Sequence, residues 1–370
     1  MTSATPKTMH VIATLRGGGA ERLLTNIVLQ QNAPDRTCVV TLLPGGVFRA
    51  TLENAGFTVI DLGMQRQIDA LAGVFRLAAL MRARAPEIVQ GWMYHANLMA
   101  FFALRLSRLR DTRLVWGTFC TDIPKSDLPL SLRIVRSMNA FFSRYVDTVV
   151  YNGEEVRDFH RRIGFRERNA VVISNCIDPE IFRHDLQKRQ ALRRELGIGD
   201  DKVVIAVVAR VDPMKDWPTV REAVRDLPDV ITIAVGKGTD ELPPQDGFIG
   251  LGWYDDVAGI LSAADIFLLG SAFGEGTSLA LGEAMLCGLP CVVTDVGDNA
   301  ALVGDAGIVV EPRNTASMRA AIVQLAGSRA QREALGRMAR QRAAVAAVRQ
   351  ETIELHAPAL ASDQRATRNP

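Results

Sequence analysis

Short, near-continuous Val/Ile-rich runs alternate with longer helical patterns along the whole chain, and this alternation constrains the fold more than any other feature. The runs are Met9 to Leu15, Thr37 to Leu43, Thr58 to Leu62, Ile88 to Trp92, Arg113 to Gly117 and Thr148 to Tyr151. Strands apolar on both sides, with helices between them, belong to a parallel sheet covered on both faces. A polar, basic stretch from Arg161 to Asn169 interrupts the series. The alternation then restarts with Ala170 to Ser174, Val203 to Ala209, Thr232 to Val235, Ile266 to Leu269, Cys291 to Thr294 and Gly307 to Val310. Trp217 to Asp226 and Gln331 to His356 are its clearest helices. The restart predicts an α/β chain of two Rossmann-like, doubly wound domains, 1–167 and 168–344, with a frayed tail at 358–370. The 370 residues suit two domains at roughly 100 to 200 residues each. Open parallel sheets bind ligands outside the carboxyl ends of their strands, so two sheets facing each other would share a cleft.

Composition and charge remove several alternatives. With 48% hydrophobic and 23% charged residues, the chain has the balance of a folded globular protein. Residues 1–165 carry 20 Lys and Arg against 13 Asp and Glu, and the remainder 23 against 28. That spread argues against nucleic acid as a partner, which would call for a concentrated excess of positive charge. It fits a first half facing anionic lipid or a phosphorylated acceptor. Cys38, Cys120, Cys176, Cys287 and Cys291 form no Cys-x-x-Cys pair, so neither a disulfide framework nor a zinc site is expected, and a reducing, cytoplasmic setting is. Met9 to Leu15 reads as a first strand rather than a leader. Ile88 to Leu104 lacks any charged residue over 17 positions, just under the roughly 18 of a spanning helix. Its Gln90, Gly91, His95 and Asn97 favour a buried strand, a loop and a core helix instead.

Three motifs follow strands and carry chemistry. Gly17-Gly18-Gly19-Ala20-Glu21 stands between the first strand and a helix, where glycines let backbone N–H groups approach a phosphate or sugar hydroxyl. Arg210-Val211-Asp212-Pro213-Met214-Lys215-Asp216 follows the strand ending at Ala209, with Asp216 as an N-cap and Pro218 in the first helical turn. Two cations five residues apart can reach one diphosphate, the arginine as a fork and the lysine as a point charge. Gly274-Glu275-Gly276-Thr277-Ser278-Leu279-Ala280-Leu281-Gly282-Glu283 offers two carboxylates for a polyhydroxylated ligand and backbone N–H groups at Gly276, Thr277 and Ser278 for a phosphate. Glu283 falls on a stretch too apolar for an exposed face, so a buried carboxylate with a partner is expected.

In these motifs and their order the chain resembles glycosyltransferase family 4, the retaining, nucleotide-sugar-dependent enzymes of GT-B fold. The resemblance runs through Gly18 to Arg22, His95, the junction Val172-Ile173-Ser174-Asn175-Cys176-Ile177-Asp178, Arg210 and Lys215, Gly236-Lys237-Gly238, Gly252-Trp253-Tyr254-Asp255-Asp256-Val257, and Glu275 to Glu283. It implies two domains facing across a cleft, the helical segment at about 345–360 packing back on the first. It also implies that Arg210 and Lys215 neutralise the donor diphosphate, Glu275 holds donor-sugar hydroxyls and Glu283 the ribose. His95 would reach the donor sugar, and Gly17, Gly18 and Gly19 would close on donor and acceptor. Asn175, Gly236, Trp253, Tyr254, Gly276, Thr277, Ser278 and Leu279 would complete the donor site. Two departures stand out: the family's junction Asn-Gly is Asn175-Cys176, and Thr118-Phe119-Cys120-Thr121-Asp122 replaces a frequent histidine. Asp122 is the candidate that faces the acceptor.

The implied reaction is transfer of a sugar from a UDP- or GDP-sugar to an acceptor hydroxyl with retention. The want of an obvious carboxylate opposite the donor face favours front-face attack, and double displacement through a covalent glycosyl-enzyme stays open. No Asp-x-Asp occurs, so no metal and no other cofactor is expected, the two cations taking the Lewis-acid role. The acceptor is expected to be a glycan or lipid-linked glycan of cell-surface polysaccharide or glycolipid synthesis. Leu130 to Tyr145 alternates apolar residues with Arg133, Arg136 and Arg144, and reads either as a helix packed on the sheet or as an interfacial helix touching anionic membrane at its cytoplasmic face. Competing readings are a GT-B nucleotide-sugar epimerase, which needs more acid/base groups, a catalytically silent nucleotide-sugar-binding module, and a dinucleotide-dependent oxidoreductase, which needs a fuller glycine fingerprint.

Overall fold

The computed structural model describes residues 7–65, 69–121, 123, 129–175 and 177–362, with side chains as far as Val345. Asp122 and Cys176 lie outside the described residues. The chain divides into two compact units, residues 1–176 with 350–370, and residues 177–349.

The first unit is built from β1 (Thr8–Ile12), α1 (Gly19–Gln31), β2 (Thr37–Thr41), α2 (Val47–Asn54), β3 (Thr58–Asp61), α3 (Ala70–Arg84), β4 (Ile88–Trp92), α4 (Met93–Ser107), β5 (Arg113–Thr118), α5 (Leu130–Phe142), β6 (Thr148–Tyr151), α6 (Glu154–Arg162) and β7 (Ala170–Val172). Its parallel sheet runs β3-β2-β1-β4-β5-β6-β7. Met9, Val11, Val40, Val89 and Trp116 meet Leu77 and Met81 of α3 and Ala96 and Ala100 of α4 in one core. The uncharged stretch after Ile88 is the strand β4 followed by α4, a helix buried on nearly all sides.

The strand at Ala170 corrects the expected domain boundary. β7 pairs with β6, Val149 opposite Ala170 and Tyr151 opposite Val172, and therefore closes the first sheet. The polar stretch before it is the end of α6 and a return loop, not a linker. Phe165 anchors that loop in the core, and Arg161 pairs with the buried Glu167 at 2.9 Å.

The second unit contains α7 (Leu186–Glu195), β8 (Val203–Val208), α8 (Trp217–Val224), β9 (Val230–Val235), β10 (Phe248–Gly250), α9 (Val257–Ala263), β11 (Ile266–Leu269), α10 (Leu279–Leu286), β12 (Cys291–Thr294), α11 (Asn299–Val303), β13 (Gly307–Val310), α12 (Thr315–Ala326) and the part of α13 (Arg329–Ser362) up to Arg349, the remainder of that helix belonging to the first unit. The sheet runs β10-β9-β8-β11-β12-β13, its paired strands parallel. Successive side chains of a strand point to opposite faces, so one face buries Val204, Ala206, Phe267 and Leu269 against α9 and α10. The other buries Ile205, Val207, Ile266 and Leu268 against Trp217, Val220, Met318 and Ile322. Each buried Val, Leu, Ile, Phe or Met side chain among them contributes about 1.5–3 kcal/mol. At the amino edge, Asp265 takes Arg193 at 2.6 Å and Arg189 at 2.8 Å and accepts the Val204 N–H, fixing where β8 and β11 begin.

Candidate functional site

The sheet orders leave one switch point in each unit. In the second, β8 and β11 are neighbours while their outgoing connections lead to opposite sides, β9 and β12. A crevice outside the carboxyl ends of the strands at such a point is where open α/β sheets bind ligands.

Lys215 and Glu275 meet there. Lys215 ends a short turn after β8, Glu275 lies in the loop after β11, and the ammonium is ion-paired with the carboxylate. Both side chains are largely buried, 13% and 8% exposed. The Ser271 hydroxyl donates to the same carboxylate oxygen, and Ser271 is itself fully buried. The Ala272 N–H donates to the Met214 carbonyl at 2.8 Å, joining the two loops by their backbones. In a partly desolvated place the attraction within such a pair is stronger than in water.

Arg210 does not join that pair. Its guanidinium lies against Asp212 at 3.1 Å and is more exposed, while its carbonyl accepts the Trp217 indole N–H at 2.9 Å. Asp212 also accepts the Met214 N–H at 2.9 Å, which closes the turn that delivers Lys215. Asp216 caps α8 through the Thr219 N–H, with Pro218 in the first turn, as the sequence indicated.

Loops after the neighbouring strands complete this edge. Gly236 has φ +138°, and a Cβ there would lie 2.3 Å from the Ala209 carbonyl oxygen, so only glycine fits against the arginine loop. Its N–H donates to the Gly252 carbonyl at 2.7 Å, and the Val211 N–H to the Lys237 carbonyl at 2.8 Å. Trp253 is exposed and donates to Asp255 at 2.9 Å. Tyr254 is half-buried, and burial, then Glu195 and Asp256, raise its phenol above the ordinary range. Gly276 and Thr277 precede α10, Ser278 caps it by accepting the Leu281 N–H, and Leu279 is its first residue. Glu283 is wholly buried on α10, its carboxylate oxygens sealed from solvent. Burial and then the Glu283 charge push the Cys287 thiol up to about 12, which leaves Cys287 an inert packing group.

In the first unit the switch point lies between β1 and β4. Gly17, at φ +113°, Gly18, the N-cap of α1, and Gly19, its first residue, follow β1. The Thr14 hydroxyl holds Glu21 at 2.9 Å beneath them. His95 follows the adjacent strand β4, in the first turn of α4, half-buried and lowered in pKa by that burial. The glycine loop and His95 therefore leave one edge side by side. Asn175 is buried beyond β7 and accepts from Asn152 at 3.5 Å. Asp178 closes a local turn through the Glu180 N–H at 2.8 Å. Ser271 escaped the sequence reading because nothing separates it there from an ordinary loop residue, and Asp212 was named within its motif without a role.

Comparison with known proteins names the class. Residues 17–181 match the model described as Glycosyltransferase Family 4, and residues 203–328 the one described as Glycosyl transferases group 1. The chain belongs to glycosyltransferase family 4, and its two parallel-sheet units have the GT-B fold. It is 30% identical over 172 residues to the UDP-Gal:alpha-D-GlcNAc-diphosphoundecaprenol alpha-1,3-galactosyltransferase of Escherichia coli, covering 42% of this chain and 44% of that one. With the N-acetyl-alpha-D-glucosaminyl L-malate synthase of Bacillus anthracis it shares 27% identity, over 47% and 49% of the two chains. The chain thus spans under half the length of these curated relatives. Anabaena HepE, solved in complex with UDP, superposes with a TM-score of 0.80 at 21% identity, over 96% of this chain and 100% of that one.

Proposed function

We propose that the chain transfers a sugar from a UDP-sugar to a hydroxyl of a lipid-linked glycan, with retention and without a metal, at the cytoplasmic face of a membrane. The observation that carries this reading is the Lys215–Glu275 pair at the β8/β11 switch point. A donor diphosphate arriving there exchanges Glu275 for its own oxygens as the partner of Lys215. Arg210, more exposed, swings from Asp212 to the same group, and Glu275 is freed to accept hydroxyls of the sugar. As the glycosidic bond breaks, charge grows on the departing diphosphate, and two cations already in place stabilise it without reorganisation. These cations do the work a Lewis acid would otherwise do. Two printed names support the choice of nucleotide: the E. coli relative is a UDP-Gal enzyme, and HepE has also been solved with UDP-glucose.

The acceptor reading rests on α5. Leu130, Ile134 and Phe141 are more than half exposed on it, and Arg133 and Arg144 accompany them. The diphosphoundecaprenol substrate of the E. coli relative is of the matching chemistry, an apolar chain with an anionic head.

Calorimetric titration of the protein with UDP, GDP and ADP in EDTA tests the donor half. Saturable binding of UDP with the metal chelated is expected; binding of none of the three, or binding only after metal is restored, overturns it.

A further inference from the structure

Met93 leaves β4 with φ +66°, the left-handed region that a side chain with a Cβ enters only under strain. Strain of this kind persists where the surroundings over-determine it, and it gathers at functional sites. Here the clamp is visible on every side. A Cβ on Gly91 would sit 2.7 Å from Asn97, so the strand end and the first turn of α4 are in direct contact. Asn97, fully buried, donates to the Gly117 carbonyl of β5 at 3.2 Å. Trp92 donates to His10 of β1 at 3.2 Å. Asn139 of α5, also fully buried, donates to the Tyr94 carbonyl at 2.9 Å. The Tyr94 hydroxyl lies 2.9 Å from His160 Nε2, whose Nδ1 donates to the Val156 carbonyl at 2.7 Å, so that Nε2 accepts from the tyrosine. Between Gly91 and Asn97 only Met93 and His95 keep partial exposure.

We propose that the left-handed backbone at Met93, held by Asn139 as a positioning residue, sets the His95 imidazole beside the glycine loop that follows β1. The proposal rests on the donor-sugar role of His95. It makes a counterintuitive demand on substitutions: glycine, which adopts φ +66° freely, preserves the turn, whereas valine, nearer to methionine in apolar character, does not. Met93→Gly is expected to keep turnover, and Met93→Val to lower kcat on the order of 10²-fold, the cost of a misplacement of about 1 Å, with UDP binding unchanged. In a His95→Ala background neither variant changes the rate further.

The NMR resonance of the His95 ring, assigned by its loss in His95→Ala, supplies a readout independent of activity. It is expected to move in Met93→Val and Asn139→Ala and to stay in Met93→Gly. If Met93→Val does not fold, Asn139→Ala carries the test alone, since it leaves the strained residue untouched. Loss in Met93→Gly with retention in Met93→Val, a rate loss that persists without His95, or a His95 resonance indifferent to Asn139→Ala overturns the proposal. Absence of any transfer by the parent defeats the functional reading instead, and the resonance still decides the turn.

Discussion

At the scale of single residues, the arrangement concentrates its demands on Lys215. Its ammonium is held by Glu275 in a largely buried place, and in the proposed function it exchanges that carboxylate for the donor diphosphate. Removing one preorganised donor to a developing anion costs about 10²–10³ in rate. Lys215→Ala is therefore expected to lower kcat by that order in a steady-state assay, and unchanged turnover would contradict the assignment. Both residues were legible as candidates because each follows an apolar strand run, and because carboxylate and ammonium are typical partners of hydroxyl and phosphate. Their pairing was not, since the sequence joins Lys215 with Arg210 and Glu275 with Glu283. Ser271 was not legible. A serine at a strand end looks like any other, and only the fold shows its buried hydroxyl bound to Glu275.

At the scale of elements, the strands that could be read are those with both faces apolar, since burial on two sides leaves an uninterrupted signature. β10 is missing from that reading because Gly247-Phe248-Ile249-Gly250 is short, glycine-flanked and at the edge of its sheet, where half-buried residues suffice. β7 was found but assigned to the wrong sheet, since pairing partners are not written in a strand's own composition. For α5, the reading as a helix packed on the sheet holds for Asn139 and Ala140, which are buried, while Leu130, Ile134 and Phe141 face outward with the Arg144 guanidinium 4.8 Å above the Phe141 ring. If that outer face meets lipid, the protein floats with phosphatidylglycerol vesicles more than with neutral ones, and Ile134→Asp with Phe141→Asp abolishes the difference. No preference for the anionic vesicles removes the membrane part of the account.

At the scale of the whole molecule, stability acquires a pH dependence from two histidines buried in the first unit. Burial lowers both His10 and His160 to about 4. Between that value and the ordinary 6.5 the unfolded chain binds protons that the folded chain refuses, so stability is full above about pH 6.5, falls as pH drops, and stops falling near 4. Each ring contributes roughly 3 kcal/mol at most. The urea midpoint of the first unit is expected to be clearly lower at about pH 5 than at about pH 8, and equal midpoints would mean that these rings are protonated when folded. The proposed function requires the geometry at β8 and β11 to serve a retaining transfer. The most direct measurement follows a UDP-sugar with the protein in EDTA by NMR, reading the anomeric proton of the first sugar released to water or to an acceptor. The donor's own anomeric configuration is expected at the earliest times. An inverted first product, or a donor left untouched in EDTA but consumed once a divalent metal is added, contradicts it.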